Sequence, residues 1–105
     1  MKGFGGMQQL MKQANQLQNR MKKLQEEFAT KEFSATSGGG AVEVIVSGNS
    51  LVKEVKINKD VFEAGDAEML QDMIVSATNE ALKTAKDEYQ KASDKLTGGL
   101  SIPGM

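Results

Sequence analysis

Met7, Leu10, Ala14, Leu17, Met21, Leu24 and Phe28 recur in alternating steps of three and four. An apolar spacing of 3.5 residues can be satisfied only by a helix that packs along a single seam. Gln, Lys, Asn, Arg and Glu fill the intervening positions, and no proline interrupts them. The pattern predicts a first helix over about residues 7–29, roughly 35 Å long at ~1.5 Å per residue. With Met7 at an a position, Lys12 falls at f, Arg20 at g, Lys22 at b and Lys23 at c. The cations therefore lie off the seam and are free for solvent or a ligand.

Charge sharpens this reading. Residues 1–25 carry Lys2, Lys12, Arg20, Lys22 and Lys23 and no acid, whereas the remaining eight basic residues share the rest of the chain with all fourteen acids. A net charge of −1 thus conceals a basic segment on an acidic body. Solvation of a helix face is the plainer explanation of such a run; a polyanion site is the functional one.

After the helix, apolar residues recur every second position. "KEFSAT" (31–36), "AVEVIVS" (41–47) and "LVKEVKI" (51–57) read as three strands. Val42, Val44 and Val46 share one face, opposite Glu43 and Ile45; Leu51, Val55 and Ile57 share another, opposite Glu54 and Lys56. Short connections predict an antiparallel meander. The triplet Gly38–Gly40 lies between two strands. A phosphate-cradling loop leads from a strand into a helix, so the triplet is a turn. "GFGG" (3–6) precedes a helix but follows no strand, and is not such a loop either. In "SGNS" (47–50), Gly48 and Asn49 are the residues most tolerant of positive φ.

"DVFE" (60–63) has an Asp-x-x-Glu capping pattern for one helical turn closed by Gly65. Asp66 then caps a second long helix over about 66–97, roughly 45 Å long. It carries Leu70, Ile74, Ala77, Ala81, Ala85, Tyr89, Ala92 and Leu96, joined by Met69, Met73 and Leu82, and Gly98-Gly99 stops it. Six-residue strands reach only about 20 Å, so both helices overhang the sheet and their ends need another helix or another subunit. Asn79, a poor helix former, is either an exposed neutral choice or a buried polar group at a junction; the buried reading is preferred. Lys83, Lys86, Lys91 and Lys95 alternate with Asp87, Glu88 and Asp94, which favours solvation or pairing along the helix over a ligand site.

The absence of cysteine and histidine excludes thiolate zinc sites, cysteine nucleophiles and histidine-based triads. Glu26/Glu27 and Asp87/Glu88 point to different sides of their helices, and no nucleophile has a visible base. No catalytic residue, metal, cofactor or small-molecule substrate is expected. No segment has the ~18 consecutive apolar residues of a membrane span, and the first residues lack an apolar signal-type core, so no membrane association and a cytoplasmic location are expected. One domain spanning 1–105 is expected, with loose ends at 1–6 and 98–105.

Taken together, "LMKQANQLQNRMKKLQEE" (10–27), "GGGAVEVIVSG" (38–48), "VKINKDVF" (55–62), "MLQDMIVSATNEALKTA" (69–85) and "IPG" (102–104) resemble the YbaB/EbfC family of bacterial nucleoid-associated proteins. Met73 stands where leucine is common in that family, and Ser76 where alanine is. The resemblance implies an α+β fold with an α-β-β-β-α protomer and an intertwined homodimer whose paired helices project like tweezers. It also implies binding of double-stranded DNA in the nucleoid.

The residues expected to contact DNA are Lys2, Lys12, Arg20, Lys22 and Lys23. Phosphate contacts supply affinity and orientation but little sequence information, so weak selectivity and steep salt dependence are expected. The few aromatics offer no stacking platform for single strands: Phe28 belongs to the seam, and Phe33 and Phe62 read as core. The core and dimer seam is expected to comprise Leu10, Ala14, Leu17, Met21, Leu24, Phe28, Leu70, Ile74, Ala77, Asn79 and Ala81. An alternative is an adaptor that binds proteins through adaptable methionines, Met7 and Met21 on the first helix and Met69 and Met73 on the second.

Overall fold

The heptad seam is realised as α1, Lys2–Thr30. The computed structural model describes residues 2–98, with side chains from Gly6 onward. The helix starts ahead of the position at which the periodicity begins, running through Gly3, Gly5 and Gly6. Glycine disfavours helix by only about 1 kcal/mol per residue, and extending a formed helix adds a hydrogen bond per residue fixed. Residues 99–105 of the expected loose end lie outside the described residues.

Three strands follow, β1 (Glu32–Ser37), β2 (Val42–Ser47) and β3 (Val52–Ile57), joined as an antiparallel meander in the order β1-β2-β3. The β1–β2 turn is built on Gly38, Gly39 and Gly40, with φ of 63°, 69° and 93°. Three successive left-handed residues are accessible at low cost only to glycine. The triplet is thus a turn, as its place between strands predicts.

The β2–β3 turn departs from expectation. Ser50, not Gly48 or Asn49, carries the positive φ, at 67°. Gly48 is needed for a different reason: a Cβ there would lie 2.1 Å from the carbonyl oxygen of Phe28. Its N–H donates to Lys31 O at 2.9 Å, which ties the turn to the end of α1.

A single helical turn, α2 (Lys59–Glu63), and the long α3 (Ala67–Leu96) complete the α-β-β-β-α order. The cap of α2 is Asn58, whose Oδ1 accepts from Asp60 N at 2.8 Å. Asp60, expected as the cap, lies one residue inside the helix, because Asn58 already holds the extended backbone of a cap residue. Asp66 caps α3 as expected, accepting from Met69 N at 3.0 Å. Gly98, at φ 65°, follows its end.

The core lies between α3, the sheet and the end of α1. Val42, Val44 and Val46 are fully buried against Ala77, Ala81 and Ala85 of α3, with Phe28 and Phe33 closing one end. The alanines recur every fourth residue and present a low ridge, so the helix axis can approach the valines closely. Ser37 Oγ donates to Met73 O at 2.6 Å, fixing α3 to the rim of the sheet. Phe28 stacks on Phe33 at 5.8 Å between ring centroids and meets Tyr89 edge-on at 5.4 Å. The Lys31 ammonium stands 5.0 Å and 5.5 Å from the centroids of Phe28 and Phe33.

The molecule is long, 77 × 21 × 17 Å. Its length comes from α1, which runs antiparallel to the second half of α3 and then beyond it. Phe28 meets Tyr89, Met21 meets Ser93, and Leu96 reaches the level of Arg20 to Leu24. Only the C-terminal half of α1 is therefore held by the body.

Candidate nucleic-acid interface

α1 positions the cationic side chains by its rotation. Its apolar stripe faces α3 where α3 is present, burying Phe28 and half-burying Leu17, Met21 and Leu24. Lys12 and Lys23 are eleven residues apart, which on an α-helix is about 16 Å along the axis and about 20° of rotation. They lie nearly in line, on the side away from the seam, and Arg20 and Lys22 flank that line. All four are exposed. Glu26 and Glu27 end the basic run immediately before Phe28, the buried residue of α1. Lys2 opens α1, but its side chain lies outside the described residues.

The ion pairs separate the two long helices. Lys83 pairs with Asp87 at 4.0 Å and Lys91 with Glu88 at 3.6 Å on α3; Lys59 pairs with Glu63 on α2, and Lys56 with Glu43 across β3 and β2. Among the described residues, no ion pair involves Lys12, Arg20, Lys22 or Lys23. Lys83 and Lys91 of α3 thus have acidic partners one turn away on their own helix, as their spacing suggests, whereas the four α1 cations have none within ion-pair distance among the described residues.

The seam residues fall into two groups. Phe28, Ala77 and Ala81 are buried, and Leu24, Leu70 and Ile74 pack against them, with Leu17 and Met21 half-buried. Leu10 is 67% exposed and Ala14 is exposed, because α3 ends before reaching them. Asn79 is exposed in the protomer. It lines an open groove with Gly48, Ser50, Leu82, Lys83, Lys86 and Tyr89. Phe62, read as core from sequence, is 68% exposed in the protomer, whereas its neighbour Val61 on the same turn is half-buried.

A second surface was not evident from sequence. Ile57 pairs directly with Val42, and Val55 with Val44, so all four side chains lie on one face of the sheet. The two on β2 are fully buried, whereas Val55 and Ile57 remain 40% and 38% exposed. α3 covers β1 and β2 and leaves the β3 part of the same face open. Phe62, Met69 and Val75 are exposed apolar residues of the adjoining elements. The alternation in β3 marked Val55 and Ile57 as one apolar face; only the position of α3 shows that the protomer does not cover it.

The arrangement is that of a small α+β module bearing a cationic helical arm, with no group of His, Cys, Asp or Glu suited to a metal among the described residues. The chain belongs to the YbaB/EbfC DNA-binding family, whose model matches residues 2–100. It is 52% identical over 98% of its length to a nucleoid-associated protein of Clostridium acetobutylicum, covering 92% of that protein. It is 48% identical over 98% of its length to a nucleoid-associated protein of Clostridium kluyveri, covering 90% of it. In structure it is similar to an uncharacterized protein from Helicobacter pylori, with a TM-score of 0.72 at 22% identity, over 85% of this chain and 94% of that one. That likeness is one of fold alone.

Proposed function

We propose that this chain binds double-stranded DNA in the nucleoid as a homodimer, with Lys12, Arg20, Lys22 and Lys23 of α1, and Lys2 at its start, contacting phosphates. The observation that carries the reading is the unpaired cationic line on an exposed helix, in a protein whose other charges are largely paired or acidic. Contacts of this kind bind the backbone of the duplex with little regard to sequence. Each phosphate neutralised releases condensed counterions, so affinity falls steeply with salt.

Dimerisation is supported by the uncovered β3 face. Val55 and Ile57 continue the buried layer of Val42 and Val44 but lack a covering helix in the protomer. A second copy that covers this face would bring two arms into one particle and double the cationic surface. Asn79 lies on the groove-lining side of α3, near the β2–β3 turn, where a polar group at a subunit junction would be useful. The edge of β3 is an unsuitable place for pairing through backbone hydrogen bonds: its register with β2 shifts between Ile45 and Val46, leaving Lys53 without a direct partner. The face of β3, not its edge, is the proposed contact.

The adaptor reading keeps one observation in its favour, the exposed methionines Met7 and Met69. Met21 and Met73 are half-buried in the protomer and are less available to a partner protein. Retardation of a plain duplex at two salt concentrations decides between the readings. Strong retardation at low salt that is lost at high salt supports DNA binding; no retardation at low salt supports the adaptor.

A further inference from the structure

The groove between α1 and α3 changes character along its length. Toward the body it is lined by Lys31, Lys91 and Lys95 and by Glu27, Glu88 and Asp94, so the two signs balance. Toward the end of α3, Arg20, Lys23 and Lys95 share the groove, among the described residues, with Glu27 as the single acid. Leu24, Ala92 and Leu96 supply its apolar lining there.

Lys95 differs from the lysines further back on α3. Lys83 and Lys91 each pair with an acid three or four residues away. At those spacings Lys95 has only Lys91, Ala92, Gly98 and Gly99. Among the described residues, none of Arg20, Lys23 and Lys95 makes an ion pair, and all three are exposed.

We infer that this cleft at the end of α3 holds one DNA phosphate, and that Lys95 contacts it together with Arg20 and Lys23. The assignment rests on the DNA reading and extends it to a second helix. A cleft of one sign with a low-dielectric wall concentrates the field at its mouth, and Leu24, Ala92 and Leu96 form such a wall. Arg20 brings a planar fork of donors suited to phosphate oxygens, and the two lysines add point charges. The packing of α1 on α3 fixes the separation of these groups before any ligand arrives. Lys12 lies on the side of α1 that carries Lys23, so the cleft opens onto the cationic line.

The carbonyl end of a helix repels anions, and two features blunt that effect here. Ser93 O accepts from Thr97 N at 3.1 Å and Lys95 O from Gly98 N at 3.3 Å, which occupies carbonyls of the last turn. Lys95 itself lies in that turn. The sequence pattern assigned Lys95 to solvation with the other α3 lysines; its place opposite Arg20 and Lys23 gives it a different role.

The test uses the full chain and a plain duplex, with affinity measured over a range of salt concentrations and particle mass measured in parallel. Glutamine matches lysine closely in helix propensity, so Lys95→Gln, Lys23→Gln, the double variant and Lys83→Gln remove charge without weakening either helix. Lys95→Gln and Lys23→Gln are each expected to weaken binding about tenfold at low salt and to make the log–log salt slope shallower by about 1 per subunit. Lys83→Gln is expected to leave the slope unchanged. Two lysines on one phosphate are coupled, so the double variant is expected to lose less than the product of the single losses. A Lys95→Gln slope equal to that of the unaltered protein, with Lys23→Gln still shallower, would overturn the cleft and leave the DNA reading standing. Losses that multiply in the double variant would place the two lysines on separate phosphates and also overturn it. Unchanged slopes in both single variants would remove the α1 contacts themselves, and the cleft with them.

Discussion

One helix with one apolar periodicity has two fates in this protein. From Met21 to Phe28 the seam of α1 is packed by α3, and Phe28 is enclosed by Phe33 and Tyr89. From Met7 to Ala14 the same spacing faces outward, because α3 has ended. The first half is part of the core; the second carries the front of the cationic line away from it. Periodicity tells which side of a helix is apolar, but the length of its neighbour decides how much of that side is buried.

The comparison can be broken at its anchored end first. Phe28→Ala removes the ring on which the packed half depends and should cost about 3–5 kcal/mol of stability, as other buried aromatic truncations do. Chemical denaturation of the intact protein measures it; a loss below about 1 kcal/mol would mean that α1 is not held by its end.

Gly48→Ala should come next, at about 1–3 kcal/mol. The new Cβ would press on the Phe28 carbonyl, which belongs to backbone and cannot swing aside. The same denaturation assay would show an unchanged midpoint if the turn can retreat from α1. Val55→Asp with Ile57→Asp changes association more than folding, because both positions are partly exposed in the protomer. Analytical ultracentrifugation is expected to show a shift from dimer toward monomer; an undisturbed dimer would place the subunit contact elsewhere.

At the small end lies Leu10→Ala, expected to change global stability by less than about 1 kcal/mol, since openings of a projecting segment need not involve the core. Its effect should appear in hydrogen exchange of the arm alone. A cost near that of Phe28→Ala would erase the distinction between the two halves.

Much of this architecture was legible in the residues. Three consecutive glycines between strands admit the three positive φ values found there, and Asp66 accepts from Met69 N as a cap should. The spacing of Lys12, Arg20, Lys22 and Lys23 relative to the seam put them on the exposed side, where they are found. What escaped depends on long-range approach. Gly48 looked like a turn residue and proves to be a point of close contact with a helix distant in sequence. Phe62 looked like core because it is large and apolar, yet in the protomer it is Val61, its neighbour on α2, that is half-buried while Phe62 faces outward. Alternation marked Val55 and Ile57 as one apolar face, and only the placement of α3 over β1 and β2 shows that the face is left open in the protomer. Asn79 was legible as an oddity in a helix, but its surroundings are set by the β2–β3 turn.

The central claim is that the cationic side of α1 grips duplex phosphates. The direct test is Arg20→Glu with Lys23→Glu, titrated against plain duplex over a range of salt concentrations, with particle mass measured in parallel. The predicted result is unchanged mass, at least tenfold weaker binding at low salt, and a log–log salt slope shallower by about 3–4 for a dimer losing four phosphate contacts. Binding and slope equal to those of the unaltered protein would contradict the claim.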